Sequence, residues 1–351
     1  MKKVLKWLAI VVGIVLVLAI GLIAFLSITE FKPADREAAA YFNADETEAA
    51  ATDKVFTIFT WNTGYGGLGE ESDFFMDGGE MVNPPSDEAI AKNLAGISSF
   101  LSETEADAWL LQEVDVNSAR TNNENQFAIY KSALVGSSAF AYNYKCPFVP
   151  IPIPPMGRIE GGVATYTPHL MSDDAERVSL PCPFEWPVRA ANIKRCLLVT
   201  RLPLEGTDKQ LVLVNLHLEA YDDGEGKKAQ TDLLVQVLEE EYAKGNYVVA
   251  GGDFNQSFPG VLDVYPIMDS EKWTPGILEN SILPEGWSFA YDYAAATCRL
   301  LDAPYSDACQ KYVIDGFIIS PNVELVEVNT VDLDFTWSDH NPVKLVVILG
   351  E

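Results

Sequence analysis

The chain has 351 residues, 48% of them hydrophobic, which is enough for one large core and excludes both a disordered chain and a disulfide-stapled miniprotein. Its 51 acidic side chains against 24 basic ones give a net charge of -27. A surface that acidic repels nucleic acid and anionic lipid at long range, so nucleic acid enters only as a substrate. Phosphate esters stay open as substrates, because a bound divalent cation reverses the field locally.

After Met1-Lys2-Lys3, residues 4–26 are apolar except for Lys6, long enough for a bilayer span of about 20 residues. The flanking lysines put the N-terminus in the cytoplasm and the rest of the chain outside. A secretory signal peptide has a shorter apolar core, about 7–15 residues, ending in a small-x-small cleavage site. No such site follows Leu26, so residues 1–26 are expected as an uncleaved anchor; cleavage would make the protein secreted. Residues 27–54, rich in Ala, Glu, Asp and Thr, read as a linker. No repeat or second linker follows, and residues 55–351 are expected to form one domain, acting as a monomer.

Short β-branched runs at 55–61, 108–112, 162–166, 196–201, 211–216, 247–250, 313–319 and 343–349 predict strands. Helical periodicity marks 86–103 and 226–244. The mixture predicts an α/β protein. Residues 143–157, dominated by the prolines from Pro147 to Pro155, read as a stiff surface loop. Cys146 with Cys182, and Cys298 with Cys309, are one of several disulfide pairings an oxidising compartment allows, leaving Cys196 buried.

The polar residues that carry chemistry recur where these runs stop: Asn62, Gln112-Glu113, Asn215-Leu216-His217, Gly252-Asp253-Phe254-Asn255, Asp315 and Ser338-Asp339-His340. One such stop is a solvated turn. Six of them, each ending in a carboxylate, amide or imidazole, exceed what turn chemistry requires, and strand ends in a layered α/β fold converge on one rim. Two of the three histidines, His217 and His340, fall in the set, whereas His169 lies outside it and reads as a surface residue.

In this order and spacing, the motifs resemble those of the endonuclease/exonuclease/phosphatase superfamily, which includes pancreatic-type deoxyribonucleases and neutral sphingomyelinases, over roughly residues 55–349. The resemblance implies a four-layer α/β/β/α sandwich of two packed mixed β-sheets. It implies Mg²⁺ as cofactor, with Mn²⁺ as a substitute, held by Glu113 with Asn62 and Asp339, donors that suit a hard cation. It implies His340 paired with Asp315, Asp253 and Asn255 beside the attacking water, and His217 as a second acid/base group oriented by Glu160. Asn215 and Arg195 are expected to contact the phosphate, Arg195 through its guanidinium fork. Cys298, Arg299 and Tyr305 are expected on a substrate-selecting rim.

The expected activity is therefore hydrolysis of a phosphodiester by an anchored, extracytoplasmic enzyme, with a phospholipid head group as the favoured substrate. An extracytoplasmic nuclease is the alternative, and it lacks a basic stripe for a phosphate backbone. A non-catalytic binding module on the same scaffold is the third reading, opposed by the full motif set.

Overall fold

Two-residue alternation decides which way the side chains of the regular strands face. The computed structural model describes residues 1–44, 47–52, 55–222 and 224–350. It begins with α1 (Lys2–Ile28), then β1 (Arg36–Ala38), β2 (Ala40–Phe42), β3 (Val55–Asn62), α2 (Asp87–Glu103) and β4 (Ala108–Asp115). Next come α3 (Gln126–Ala133), β5 (Ser137–Val149), β6 (Gly157–Thr167), β7 (Glu176–Ser179), β8 (Cys196–Pro203) and β9 (Gln210–His217). The rest is α4 (Glu225–Tyr242), β10 (Tyr247–Asp253), β11 (Gln256–Ser257), β12 (Gly276–Ile277), β13 (Ser288–Ala290), β14 (Cys298–Arg299), β15 (Lys311–Tyr312), β16 (Asp315–Ile319), β17 (Val323–Thr330) and β18 (Val343–Leu349).

Two seven-stranded mixed sheets form, ordered β1-β7-β8-β9-β10-β16-β13 and β17-β18-β3-β4-β6-β5-β2. Between them lies an apolar layer of one face from each strand, including Phe56 and Ile58 of β3, Leu213 of β9, Val249 of β10, Phe317 of β16 and Leu345 of β18. The alternate residues face outward. Phe59, Trp61 and Trp109 meet Ile90, Leu94 and Ile97 of α2, while Val212, Val214 and Ala250 meet Leu234 and Leu238 of α4. Three apolar layers between two sheets and two helical faces make the four-layer α/β/β/α sandwich. Ser86 caps α2, its hydroxyl accepting from the Ala89 N–H at 3.1 Å.

The same alternation carries Asn62, Gln112, Asn215, His217, Asp253 and Asp315 onto the inner faces, where hydrophobic layers give way to polar side chains at one end of the gap. Strands β3 and β4 run parallel, as do β9 and β10, so their C-terminal ends arrive together. Strand β16 runs against β10, pairing Asp315 with Asp253. A buried amide pair clasps the sheets just beneath. Gln112 Nε2 donates to Asn215 Oδ1 at 2.8 Å, and Asn215 Nδ2 donates to the carbonyls of Leu111 and Ala164 at 3.1 and 2.8 Å.

Three expectations need correction. The stretch 27–54 is not a plain linker: β1 and β2 lie in it and complete the edges of the two sheets, while residues 45, 46, 53 and 54, and Glu351 at the domain's end, lie outside the described residues. Residues 143–149 belong to β5 and are not loop. Pro147, which has no N–H to give a ladder, sits where the β5–β6 register shifts between Cys146 and Val149, so only 150–156 leave the sheet. All five cysteines are free thiols, and Cys146 is packed in an apolar cluster.

Replacing Asn215 with leucine strands the buried carbonyls of Leu111 and Ala164 and removes a partner of Gln112. The expected outcome is a loss of about 1–3 kcal/mol in stability, read as a lowered Tm by calorimetry.

Candidate active site

Where the inner faces run out, a cavity of about 310 Å³ opens between the sheets. It is lined by Asn62, Glu113, Arg195, His217, Asp253, Asn255, Asp339 and His340, with Tyr65, Asp77, Arg120, Glu219 and Tyr221. Most of the predicted constellation therefore converges on one space.

Asn62, the last residue of β3, holds the centre. Its Nδ2 donates to Glu113 Oε1 and to Asp253 Oδ2, each at 3.1 Å, while its Oδ1 accepts from the Gly64 N–H at 3.0 Å. Glu113 gets there by a distortion of β4: the β4–β6 register shifts between Leu111 and Val114, and Glu113 adopts φ 55°. The irregularity turns a side chain that strict alternation would send to the α2 side into the cavity instead. Asn255 has φ 51° and Tyr65 φ 41°, so three residues lining one cavity are left-handed without being glycine, a cost that clusters at functional sites.

The loop before β18 supplies Asp339 and His340. Ser338 Oγ donates to the Asn62 carbonyl at 2.8 Å, and Trp61 Nε1 donates to the His340 carbonyl at 2.9 Å. His340 Nδ1 lies 2.8 Å from Asp315 Oδ2, and its Nε2 faces Asp253 at 3.8 Å and Asp339 at 3.9 Å. Burial works against an imidazolium there. Asp315 and the neighbouring acids outweigh it and hold the His340 pKa well above the usual range. His217 is the opposite case: burial, then Arg195 and His340, push its pKa well below the usual value. Its Nε2 lies 3.5 Å from Asp253 Oδ2, and its Nδ1 has no hydrogen-bond partner. The two imidazoles are thus pushed in opposite directions.

Burial lifts the carboxylates. Asp253 is pushed up to about 6, by desolvation and then by Asp315, with His340 opposing. Desolvation raises Asp339 to about 7 and Asp77 to about 6, and it raises Glu113 as well. The Glu113 carboxylate also raises Asp339 by repulsion, the setting in which a divalent cation binds. A second acidic group, Asp253, Asp315 and His340, has ligand atoms within 4.8 Å of one another. There, His340 Nδ1 is committed to Asp315 and the ring is held cationic, which favours an anion at Nε2. The carboxylates of Glu113 and Asp339 fit a hard cation better, while Asn62 turns its Nδ2 to Glu113 and keeps its Oδ1 on the Gly64 N–H.

Not every predicted role survives. Glu160 does not orient His217: it lies outside the cavity, and its carboxylate accepts from Asn117 Nδ2 at 3.4 Å. Asn215 is fully buried with its amide spent on the clasp between the sheets, so it does not reach a phosphate. Arg195 does line the cavity, braced by Glu219 Oε2 and the His217 carbonyl, both at 3.3 Å. Cys298 and Arg299 line the cavity, and the Arg299 guanidinium also braces the wall, donating to the carbonyls of Gly69 and Ser72 at 2.9 and 3.0 Å. Tyr305 packs on Phe335 outside the cavity lining. His169 pairs with Asp107 at 3.0 Å, at the other end of β4.

Several lining residues carried no sequence signal. Asp77, whose Oδ1 accepts from the Tyr221 hydroxyl at 2.9 Å, comes from a loop of no regular pattern. Arg120 forks onto Asp115 at 2.9 and 3.0 Å and covers the Tyr65 ring at 3.5 Å.

The model of the Endonuclease/Exonuclease/phosphatase family matches residues 59–344. Among curated proteins, none matches the sequence. The fold is similar to that of an endonuclease/exonuclease/phosphatase from Beutenbergia cavernae, with TM-score 0.58 and 15% identity over 85% of this chain and 72% of that one. It is similar to an endonuclease/exonuclease/phosphatase from Bacteroides vulgatus, with TM-score 0.54 and 17% identity over 84% and 99%. It is also similar to ANGEL2, a 2′,3′-cyclic phosphatase, with TM-score 0.54 and 14% identity over 90% and 99%. With the family matched across most of its length and the motif residues gathered in one cavity, the chain belongs to the Endonuclease/Exonuclease/phosphatase family and is a phosphoester hydrolase.

Proposed function

We propose that the chain is a divalent-metal-dependent phosphodiesterase, anchored by α1 with its catalytic domain outside the cytoplasm, that cleaves the head-group ester of a phospholipid. The observation that carries the chemistry is the closed network in which Asn62 joins Glu113 to Asp253 while His340 and Asp315 pair beside them. The apolar helix α1, long enough to cross a membrane, and an acidic surface that disfavours polyanions support a lipid over a nucleic acid.

Glu113 and Asp339 would hold Mg²⁺, or Mn²⁺ in its place, with Asn62 close by to position Glu113. When bound, the ion polarises a phosphoryl oxygen and offsets the charge that develops on it. The protein's own groups do the rest. His340, cationic and held in one tautomer by Asp315, presents Nε2 to a second phosphoryl oxygen and is charged to donate a proton to the leaving oxygen. Asp253, ionised above about pH 6, accepts the proton of the attacking water, with Asn255 alongside to orient it. His217, kept neutral, accepts a hydrogen bond or proton on the same side. Arg195 adds positive charge to the wall behind His217.

His340→Ala and Asp253→Ala are each expected to lower kcat by at least about 10²-fold on bis(p-nitrophenyl) phosphate with Mg²⁺, while the folded chain is retained by circular dichroism. Full activity in both variants rules out these assignments.

Proton linkage gives a second test. Asp77, Asp253 and Asp339 have a reference pKa of 3.8 and folded values of about 6, 6 and 7. The folded chain therefore holds protons that the unfolded chain has released. The stability this contributes is complete below about pH 4 and is lost as pH rises through about 6 to 7. In EDTA, Tm should fall between pH 5 and pH 8 on this account. Because Mg²⁺ needs the ionised carboxylates, it should raise Tm more at pH 8 than at pH 5, as differential scanning fluorimetry would show.

A further inference from the structure

We infer that the loop 150–156 and the segment 184–191 form a membrane-docking face that holds the mouth of the active-site cavity against a zwitterionic lipid surface. The inference rests on the membrane-anchor reading of α1.

Helix α1 does not stop short of the domain. Leu26 is buried in a cluster with Cys146, Val149, Met156, Ile159 and Ala190. Just beyond it, Trp186 Nε1 donates to Ser27 Oγ at 2.9 Å, and Arg189 Nε donates to Glu30 Oε1 at 2.9 Å. A hydrocarbon core about 30 Å thick takes about 20 helical residues, so a span counted from Trp7 ends at about Leu26. The residue at the outer edge of the span is thus the one on which the domain sits. No flexible spacer separates the two.

Val149 and Met156 are the feet of a loop that continues away from this contact. From Pro147 to Met156 there is no charged or hydrogen-bonding side chain, in a chain with 51 acidic residues. Ile151 and Ile153 are 74% and 90% exposed, and Trp186 and Val188 beside the helix exit are 57% and 60% exposed. Exposed isoleucine and tryptophan around a helix exit match the composition that partitions into the headgroup boundary. The absence of an acidic excess removes the repulsion that the rest of the surface would meet.

The face is continuous with the catalytic cavity. Met156 belongs to both the Leu26 cluster and the cavity lining, Phe184 of the second segment lines that cavity as well, and so do Tyr144 of β5 and Ile193 just past the second segment. A domain seated on this face keeps the cavity mouth at the level of lipid head groups.

The test uses the full chain reconstituted in phosphatidylcholine vesicles, with Ile153→Trp and Val135→Trp compared with the parent. Val135 is 87% exposed and precedes the start of β5, whose 13 residues separate it from Val149 by roughly 40 Å. Brominated phosphatidylcholine should quench the added Ile153→Trp emission and shift it to shorter wavelength, leaving the Val135→Trp increment unchanged. Equal, weak quenching of both, with the chain still in the vesicles after an alkaline wash, overturns the docking face and leaves the anchor standing. Loss of the chain in that wash overturns the anchor and the docking with it. Protection of Ile153→Trp from aqueous iodide in detergent, without quenching by brominated lipid, overturns lipid docking in favour of a protein partner or second copy.

Discussion

One amide holds the catalytic apparatus together. Asn62 Nδ2 donates to Glu113 from its own sheet and to Asp253 from the facing sheet. Neighbouring carboxylates repel one another. A neutral donor shared between them keeps both in place without cancelling the charge that a cation is attracted to. Asn62 itself is fixed at its carbonyl by Ser338, which also receives the His340 N–H at 3.2 Å. The loop carrying Asp339 and His340 is thus tied to the same residue. Position in the site is transmitted through Asn62, and the clasp of Gln112 and Asn215 beneath it sets how far apart the sheets stand.

The two imidazoles show how environment divides labour between identical side chains. His340 meets Asp315 at 2.8 Å and is driven towards the cation, whereas His217 has Arg195 behind it and no partner at Nδ1. Both lie within 4 Å of Asp253 Oδ2. That carboxylate accordingly sees one proton donor and one acceptor, an arrangement suited to moving a proton across a phosphoryl centre.

Much of this was legible in the sequence because sheet geometry is a two-beat code. Runs such as Val55–Trp61 and Leu211–Leu216 marked the strands, and the polar stops at their ends pointed to Asn62, His217 and Asp253, which lie on the facing inner surfaces of the two sheets. Glu113 reached the site against the two-beat code, through a register shift and a positive φ that no periodicity reveals. Glu160 and Asn215 failed for a related reason: a residue's neighbour in sequence says where the strand goes, not which polar groups across the gap claim its side chain. Asp77, Arg120 and Tyr221 come from irregular segments whose path is decided by tertiary packing alone. Pro147 misled because a proline inside a strand normally marks its end, and here a bulge absorbs it.

The short strands β1 and β2 decide how the domain tolerates separation from α1. Within seven residues, Arg36 to Phe42, the chain pairs first with β7 at the margin of one sheet and then with β5 at the margin of the other. The polypeptide that leaves α1 therefore acts as a hem along one border of each sheet. Trimming it past Phe42 would bare two rows of unpaired amides and carbonyls on the same flank of the sandwich, each a template for strand addition. The segment that follows the apolar helix α1 is also the one that keeps the sheets of separate molecules from recruiting one another.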